Sequence, residues 1–127
     1  MQTNIIYSEK APKAIGPYSQ GVQVGHTVYL SGQIPIDPET TEMVTESFEA
    51  QAIQVFENVK SVAESAGATL DNIVNMTILL SDMAHFPTVN EVMARYLNEP
   101  FPARAAYAVK GLPKNADIEV IAILAIE

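Results

Sequence analysis

Cysteine is missing from all 127 residues. Disulfides, thiolate metal sites and thiol nucleophiles are excluded with it. Positive charge is scarce: 7 Lys and Arg stand against 15 Asp and Glu, a net charge of −8. Such a surface repels phosphate backbones and anionic membranes, so neither nucleic acid nor a membrane is an expected partner. The acidic side chains are scattered and form no interaction tail. No apolar run approaches the ~20 residues that span a bilayer. The first ten residues show no apolar signal core, and the cytoplasm is the expected compartment. His26 and His85 are isolated loop histidines without His-x-x-x-His or His-x-x-Glu spacing, so no metal is expected. No serine sits in a nucleophile elbow and no glycine-rich phosphate loop appears. The lysines fall in loops or on exposed helical positions, where none reads as a Schiff-base former.

What remains is a chain with 48% hydrophobic and 17% charged residues. That composition supports a single compact domain over residues 1–127. Short strands are expected at Asn4–Tyr7, Gln20–Val24 and Thr27–Ser31, the last two joined by Gly25-His26 with the glycine at positive φ. The longest helical periodicity runs from Ser47 to Ala66, through Phe48, Ala52, Val55, Phe56, Val59, Val62 and Ala63, and Gly67 caps it. Asp71–Leu80 reads as a strand with Asn75 and Thr77 on one face and Val74, Met76 and Ile78 on the other. Phe86–Leu97 reads as a second helix with Pro87 in its first turn and a stripe of Phe86, Val89, Met93 and Tyr96. Arg104–Val109 and Asp117–Ile126 complete a βββαβαββ order. This is an α+β plan, a mostly antiparallel sheet with both helices on one face.

The final strand is apolar on both sides. Ile118, Val120, Ala122, Leu124 and Ile126 share one face; Ile121, Ile123 and Ala125 share the other with Glu119. Two helices cover only one face, so the second is expected to be buried by self-association or by a long loop folding over it.

Few polar residues could carry chemistry. Arg104 opens a strand within the apolar stretch Phe101–Tyr107. Its guanidinium could grip a substrate carboxylate bidentately, or pair with Glu119 on a neighbouring strand. Glu119 stands alone among apolar residues, which suits a carboxyl of raised pKa for proton transfer or water positioning, or an ion-pair partner. Tyr18 lies on a rigid loop after Gly16-Pro17. It could present its hydroxyl to a site or plug a core or interface. Ser31-Gly32 ends a strand where glycine permits close approach of a ligand. Asn90 reads as a surface position on the second helix, and Arg95 as a solvated helix charge.

Four segments, in order, resemble the Rid/YjgF family: Ala14–Gln20, Val28–Pro35, Phe101–Ala106, and Leu112-Pro113-Lys114 through Ile118-Glu119-Val120. The resemblance covers almost the whole chain. It implies a chorismate-mutase-like fold and a homotrimer around a sheet-lined core, with clefts between subunits. It also implies 2-iminobutanoate/2-iminopropanoate deaminase activity without a cofactor, acting on small 2-imino acids released by pyridoxal-phosphate-dependent dehydratases and yielding 2-keto acids. Arg104 falls on the family's carboxylate anchor, Glu119 on its water-positioning acid and Tyr18 on its tyrosine. Gly32 and Ser31 would contact ligand, with Asn90 and Ala106 beside the cleft. Ala106 stands where many relatives of the deaminase subgroup carry cysteine, which argues against a thiol mechanism. Ile121 stands where a second acid is often found, leaving one nearby carboxylate. Two other readings use the same chain: a non-catalytic trimeric binder of small 2-keto or amino acids, and a holdase-like interaction protein. A ribonuclease role, claimed for some relatives, sits badly with the charge of −8.

Overall fold

The computed structural model describes residues 2–127. Six strands and two α-helices occur in the expected order: β1 (Thr3–Ile6), β2 (Gly21–Val24), β3 (Thr27–Leu30), α1 (Phe48–Ser65), β4 (Ile73–Leu80), α2 (Phe86–Tyr96), β5 (Ala103–Ala108) and β6 (Ile118–Ala125). They form one sheet of order β1-β2-β3-β6-β4-β5, antiparallel throughout except for the parallel pair β4–β5. That parallel pair is joined through α2, the ordinary crossover for such a connection. The last strand is therefore the one inserted at the centre.

Local chemistry sets the element ends. Ser47 caps α1, its Oγ accepting from the Ala50 amide at 3.0 Å, which supplies one of the partners a helix N-terminus lacks. Gly67 follows the C-terminus with φ of 77°, the left-handed conformation that glycine adopts without a Cβ penalty. Gly25 turns the β2–β3 hairpin at φ of 60°.

The core lies between the sheet and α1. Val55, Phe56, Val59 and Val62 are fully buried against Val28, Ile78, Ile118, Val120 and Leu124. Each such side chain contributes about 1.5–3 kcal/mol of transfer free energy. On α2 the buried stripe is Val89, Val92 and Met93, while Phe86 and Tyr96 are only partly covered. The Tyr96 hydroxyl turns outward to donate to Glu57 at 2.7 Å. Arg95 is not simply solvated; it reaches Glu49 of α1 at 2.7 Å, each side chain half exposed. An exposed pair of this kind adds at most about 1 kcal/mol.

Two expectations are corrected. Val74 does not join Met76 and Ile78 in the core. A register shift between Ile73 and Asn75 marks a bulge, and Val74 is 49% exposed. An extra residue in a bulge breaks the alternation that a plain strand would keep. His85 is no free loop residue either. It sits in a short 3-10 turn leading into α2, with its ring stacked on Phe48 at 4.0 Å between centroids.

β6 alternates as its sequence requires. Ile118, Val120, Ala122 and Leu124 face the helices; Glu119, Ile121 and Ile123 face away. On that second face Glu119 lies in a row with Leu79 and Tyr107, and Ile123 in a row with Tyr29. Tyr29 and Tyr107 are each 50% exposed. Half of each residue stays open to solvent, so the single chain leaves this part of the apolar face incompletely covered.

Candidate functional site

The chain holds its chemically interesting residues in two separate places. The first is a groove of about 540 Å3 bounded by Tyr18, Ser31, Gly32, Ile34, Lys114 and Glu119. Its floor is the segment after β3. The Ser31 amide donates to the Gln20 carbonyl at 2.9 Å, and the Ser31 hydroxyl donates to the Ser19 carbonyl at 2.5 Å. Gln33 and Val120 exchange both backbone hydrogen bonds, at 2.9 and 3.0 Å. That exchange locks the segment against β6 beside Glu119.

Gly32 is required here by space, not by φ. A Cβ at this position would fall on the Glu119 carboxylate. The carboxyl group lies against the glycine and is partly removed from water, and this burial raises its pKa above the usual carboxylate range. Among the described residues no cation or hydrogen-bond donor approaches it within bonding distance. The folded chain therefore binds this proton more tightly than the unfolded chain. Its contribution to stability is full below the unfolded pKa and is lost as pH rises through the folded one.

Tyr18 does not plug the core. It is 52% exposed, held by a tight turn in which its amide donates to the Gly16 carbonyl at 2.9 Å. The loop carrying it is fastened from inside by Gln20, whose side chain is buried. Its Oε1 accepts from the Ser8 amide at 2.6 Å and its Nε2 donates to the carbonyls of Ser8 and Pro12 at 3.1 and 2.8 Å. On the opposite wall Lys114 and Asn115 adopt φ of 55° and 56°. Asparagine tolerates this left-handed conformation better than lysine does, and the turn is closed by the Asn115 and Ala116 amides donating to the Leu112 and Pro113 carbonyls at 3.2 and 3.1 Å.

The second place is a cavity of about 480 Å3 lined by Asn90, Met93, Ala94, Phe101, Pro102 and Arg104. Arg104 Nη1 donates to Asn90 Oδ1 at 2.5 Å and approaches Met93 Sδ at 3.5 Å. Its guanidinium carbon stands 4.9 Å over the Phe86 ring, a favourable cation–π arrangement. Asn90 is thus an exposed residue that orients the arginine. Ala106, two residues on, packs partly against the core.

Arg104 and Glu119 are not neighbours, and the ion pair considered from sequence does not form. Strand β4 lies between β5 and β6. Arg104 is level with Met76, on the helix side; Glu119 is level with Leu79, on the bare side. Arg104 as a residue is exposed, and the only ion pair among the described residues is Arg95–Glu49. No group of three or more His, Asp or Glu side chains among the described residues could hold a metal ion. No described helix is long and apolar enough to cross a membrane.

Sequence reasoning missed Gln20, Gln33 and Lys114. Gln20 in a strand pattern and Gln33 just after one look like ordinary surface polar residues. Their burial follows only from the way the loops fold back.

An α+β chain with a central C-terminal strand, an anion-ready arginine and a glycine-backed carboxyl defines a recognisable class. The sequence profile of the endoribonuclease L-PSP family matches residues 8–126, and the chain belongs to this family, also called Rid or YjgF. A 2-iminobutanoate/2-iminopropanoate deaminase of Dermatophagoides farinae is 47% identical over 123 residues, covering 97% of this chain and 96% of the relative. A RutC family protein of Pyrococcus abyssi is 47% identical over 123 residues, covering 97% of each. The crystal structure of RidA from an Antarctic Psychrobacter superposes with a TM-score of 0.94 at 50% identity, covering 97% of this chain and 99% of that one. The names of these relatives differ, and the fold is shared with the Psychrobacter structure.

Proposed function

We propose that this protein is a hydrolase of small reactive 2-imino acids, releasing the 2-keto acid and ammonia. The observation that carries the reading is the state of Arg104: a fixed, exposed guanidinium held by an amide, a thioether and an aromatic face, with no carboxylate of its own. A cation so placed is free to take a carboxylate from outside. Relatives named as deaminases support the reading.

Arg104 and Glu119 can act on one substrate only if they come from different copies. In this reading the bare sheet faces pack around an axis in a homotrimer, and each cleft takes Arg104 with Asn90 and Ala106 from one subunit and Tyr18, Ser31, Gly32 and Glu119 from the next. The uncovered apolar face gives the driving force, since leaving it wet forfeits about 25 cal/mol per Å2. The reading places the protein in the cytoplasm, beside the pyridoxal-phosphate-dependent dehydratases that release such imines.

Arg104 holds the substrate carboxylate and so fixes the C=N carbon. Alignment of this kind removes much of the entropic part of a barrier. Glu119, as carboxylate, accepts a proton from water as the oxygen bonds to that carbon and the C=N π pair moves to nitrogen. That proton passes to nitrogen to give the carbinolamine; Glu119 then takes the remaining hydroxyl proton and delivers it to nitrogen as the C–N bond breaks, so ammonia leaves as the C=O forms. Tyr18 closes the cleft from the loop side. The imine is itself reactive, so one acid–base group and orientation suffice.

A dehydratase acting on threonine generates the imine in situ while semicarbazide competes for it. Adding the protein is expected to divert imine from semicarbazone to 2-ketobutanoate. No diversion at any protein concentration, together with saturable binding of 2-ketobutanoate, would turn the reading to a non-catalytic binder. The raised pKa of Glu119 sets the pH dependence. Because the protonated form cannot accept the proton of water, kcat/KM is expected to fall as pH drops through that raised value. Glu119→Gln should lower activity and flatten this limb, and a retained acid limb in the variant would assign it to another group.

A further inference from the structure

The buried face of α1 carries two polar residues among its apolar ones, Gln51 and Asn58. They lie seven residues apart, two helical turns, and so project from one stripe. Each reaches a segment that bounds the Glu119 groove. Gln51 Oε1 accepts from the Asp117 amide at 3.0 Å, just ahead of the strand bearing Glu119. Asn58 is fully buried, and its Nδ2 donates to the carbonyls of Ile34 and Ile36 at 3.2 and 2.9 Å. Its Oδ1 accepts from Gln54 at 2.9 Å.

A buried amide costs free energy that an aliphatic residue at the same helical position would not. Asn58 recovers that cost through the Gln54 bond to its Oδ1 and the two carbonyls held by its Nδ2. Between them stands Pro35, and the Ile36 amide doubles back to the Ile34 carbonyl at 2.7 Å. This tight turn presents Ile34 and Ile36 as the apolar wall of the groove that also contains Glu119, Gly32 and Tyr18. The wall lies outside the regular strands, tied by the Gln33–Val120 and Ile36–Met43 bridges and by the Val44 amide donating to the Pro35 carbonyl at 2.8 Å. From α1, Asn58 is the side chain that hydrogen-bonds it.

We propose that Asn58 is a positioning residue that sets which substrate side chains the groove accepts, by fixing the Ile34–Ile36 wall opposite Glu119. The proposal rests on the imine-hydrolase reading and deepens it. The wall is aliphatic, so the substrates it sorts are 2-imino acids with aliphatic side chains, discriminated by length and branching. Asn58 touches no reacting atom. Its removal loosens the wall and leaves Arg104 and Glu119 in place.

The test compares wild type with Asn58→Leu and Asn58→Asp, using two imines generated in situ by an amino-acid oxidase, one from alanine and one from leucine. Leucine fills the amide's volume but lacks its donors; aspartate keeps the shape and removes both donated bonds. The ratio of kcat/KM for the two imines is expected to change by about tenfold in both variants, the scale on which a pocket senses one or two methylenes. The acid limb of the pH profile should stay where it is in wild type. Amide hydrogen exchange at Ile36, Asp37 and Val44 should quicken in folded variant protein while the amides of α1 remain protected. Equal losses on both imines, with the ratio unchanged, would reduce Asn58 to a structural tie and overturn the proposal. So would unchanged exchange in that segment, a readout that still serves if a variant is too weak to assay. A wild-type protein inactive on both imines would instead sink the hydrolase reading.

Discussion

Arg104→Ala is expected to abolish most imine hydrolysis while leaving the fold intact. The guanidinium is exposed, so its loss opens no cavity, and Asn90 and Phe86 lie where water can reach them. What disappears, on the imine-hydrolase reading, is the cation that holds the substrate carboxylate beside the reacting carbon. Losing a preorganised electrostatic contact of this kind costs about 2–4 kcal/mol of transition-state binding, roughly 30- to 1,000-fold in kcat/KM. Arg104→Lys keeps the charge but not the planar fork, and should recover only part of the loss. The measurement is the semicarbazide competition assay run beside a thermal melt. Near-normal turnover in folded Arg104→Ala protein would remove Arg104 from the site.

A second result should be larger in contrast, because it starts from nothing. Arg104→Ala and Glu119→Gln are each expected to be nearly inactive alone, yet active when co-expressed and purified as mixed oligomers. The two groups lie on opposite faces of one sheet, so a working cleft draws one from each of two copies. With equal amounts and random assembly, about a quarter of the clefts receive both intact groups, whatever the size of the closed ring. Activity near a quarter of wild type is therefore expected. Mixed oligomers no more active than the separate variants would show that the groups do not meet between subunits.

Much of this architecture could be read before the structure. The order of the eight regular elements is set by patterns that are local: the periodicity from Phe48 to Ala63, the serine before it, the glycine after it, and the alternation along β6. What could not be read depends on residues far apart in the chain. Nothing in the sequence of β5 shows that it pairs in parallel with β4 rather than beside β6, and so the Arg104–Glu119 ion pair looked reasonable. The bulge at Val74 is a defect of pairing, invisible in a strand's own pattern. The buried amides of Gln20 and Asn58 carry the ordinary mark of surface residues. Their partners are backbone carbonyls, which no residue type announces. The family resemblance offered roles for residues that pattern alone left open, and the structure adds where each of them stands.

The central place of β6 also bears on how the molecule is made. Until residues 118–125 have left the ribosome, β1-β2-β3 and β4-β5 are two sheet fragments with no strand between them. Each exposes an edge that another nascent chain could occupy. Closure waits for contacts of high sequence separation, such as β3 with β6, which are slow to form. Residues 118–125 thus complete the sheet and, in the same event, bring Glu119 over Gly32, so a chain stalled before them is expected to lack both the closed sheet and the Glu119 groove.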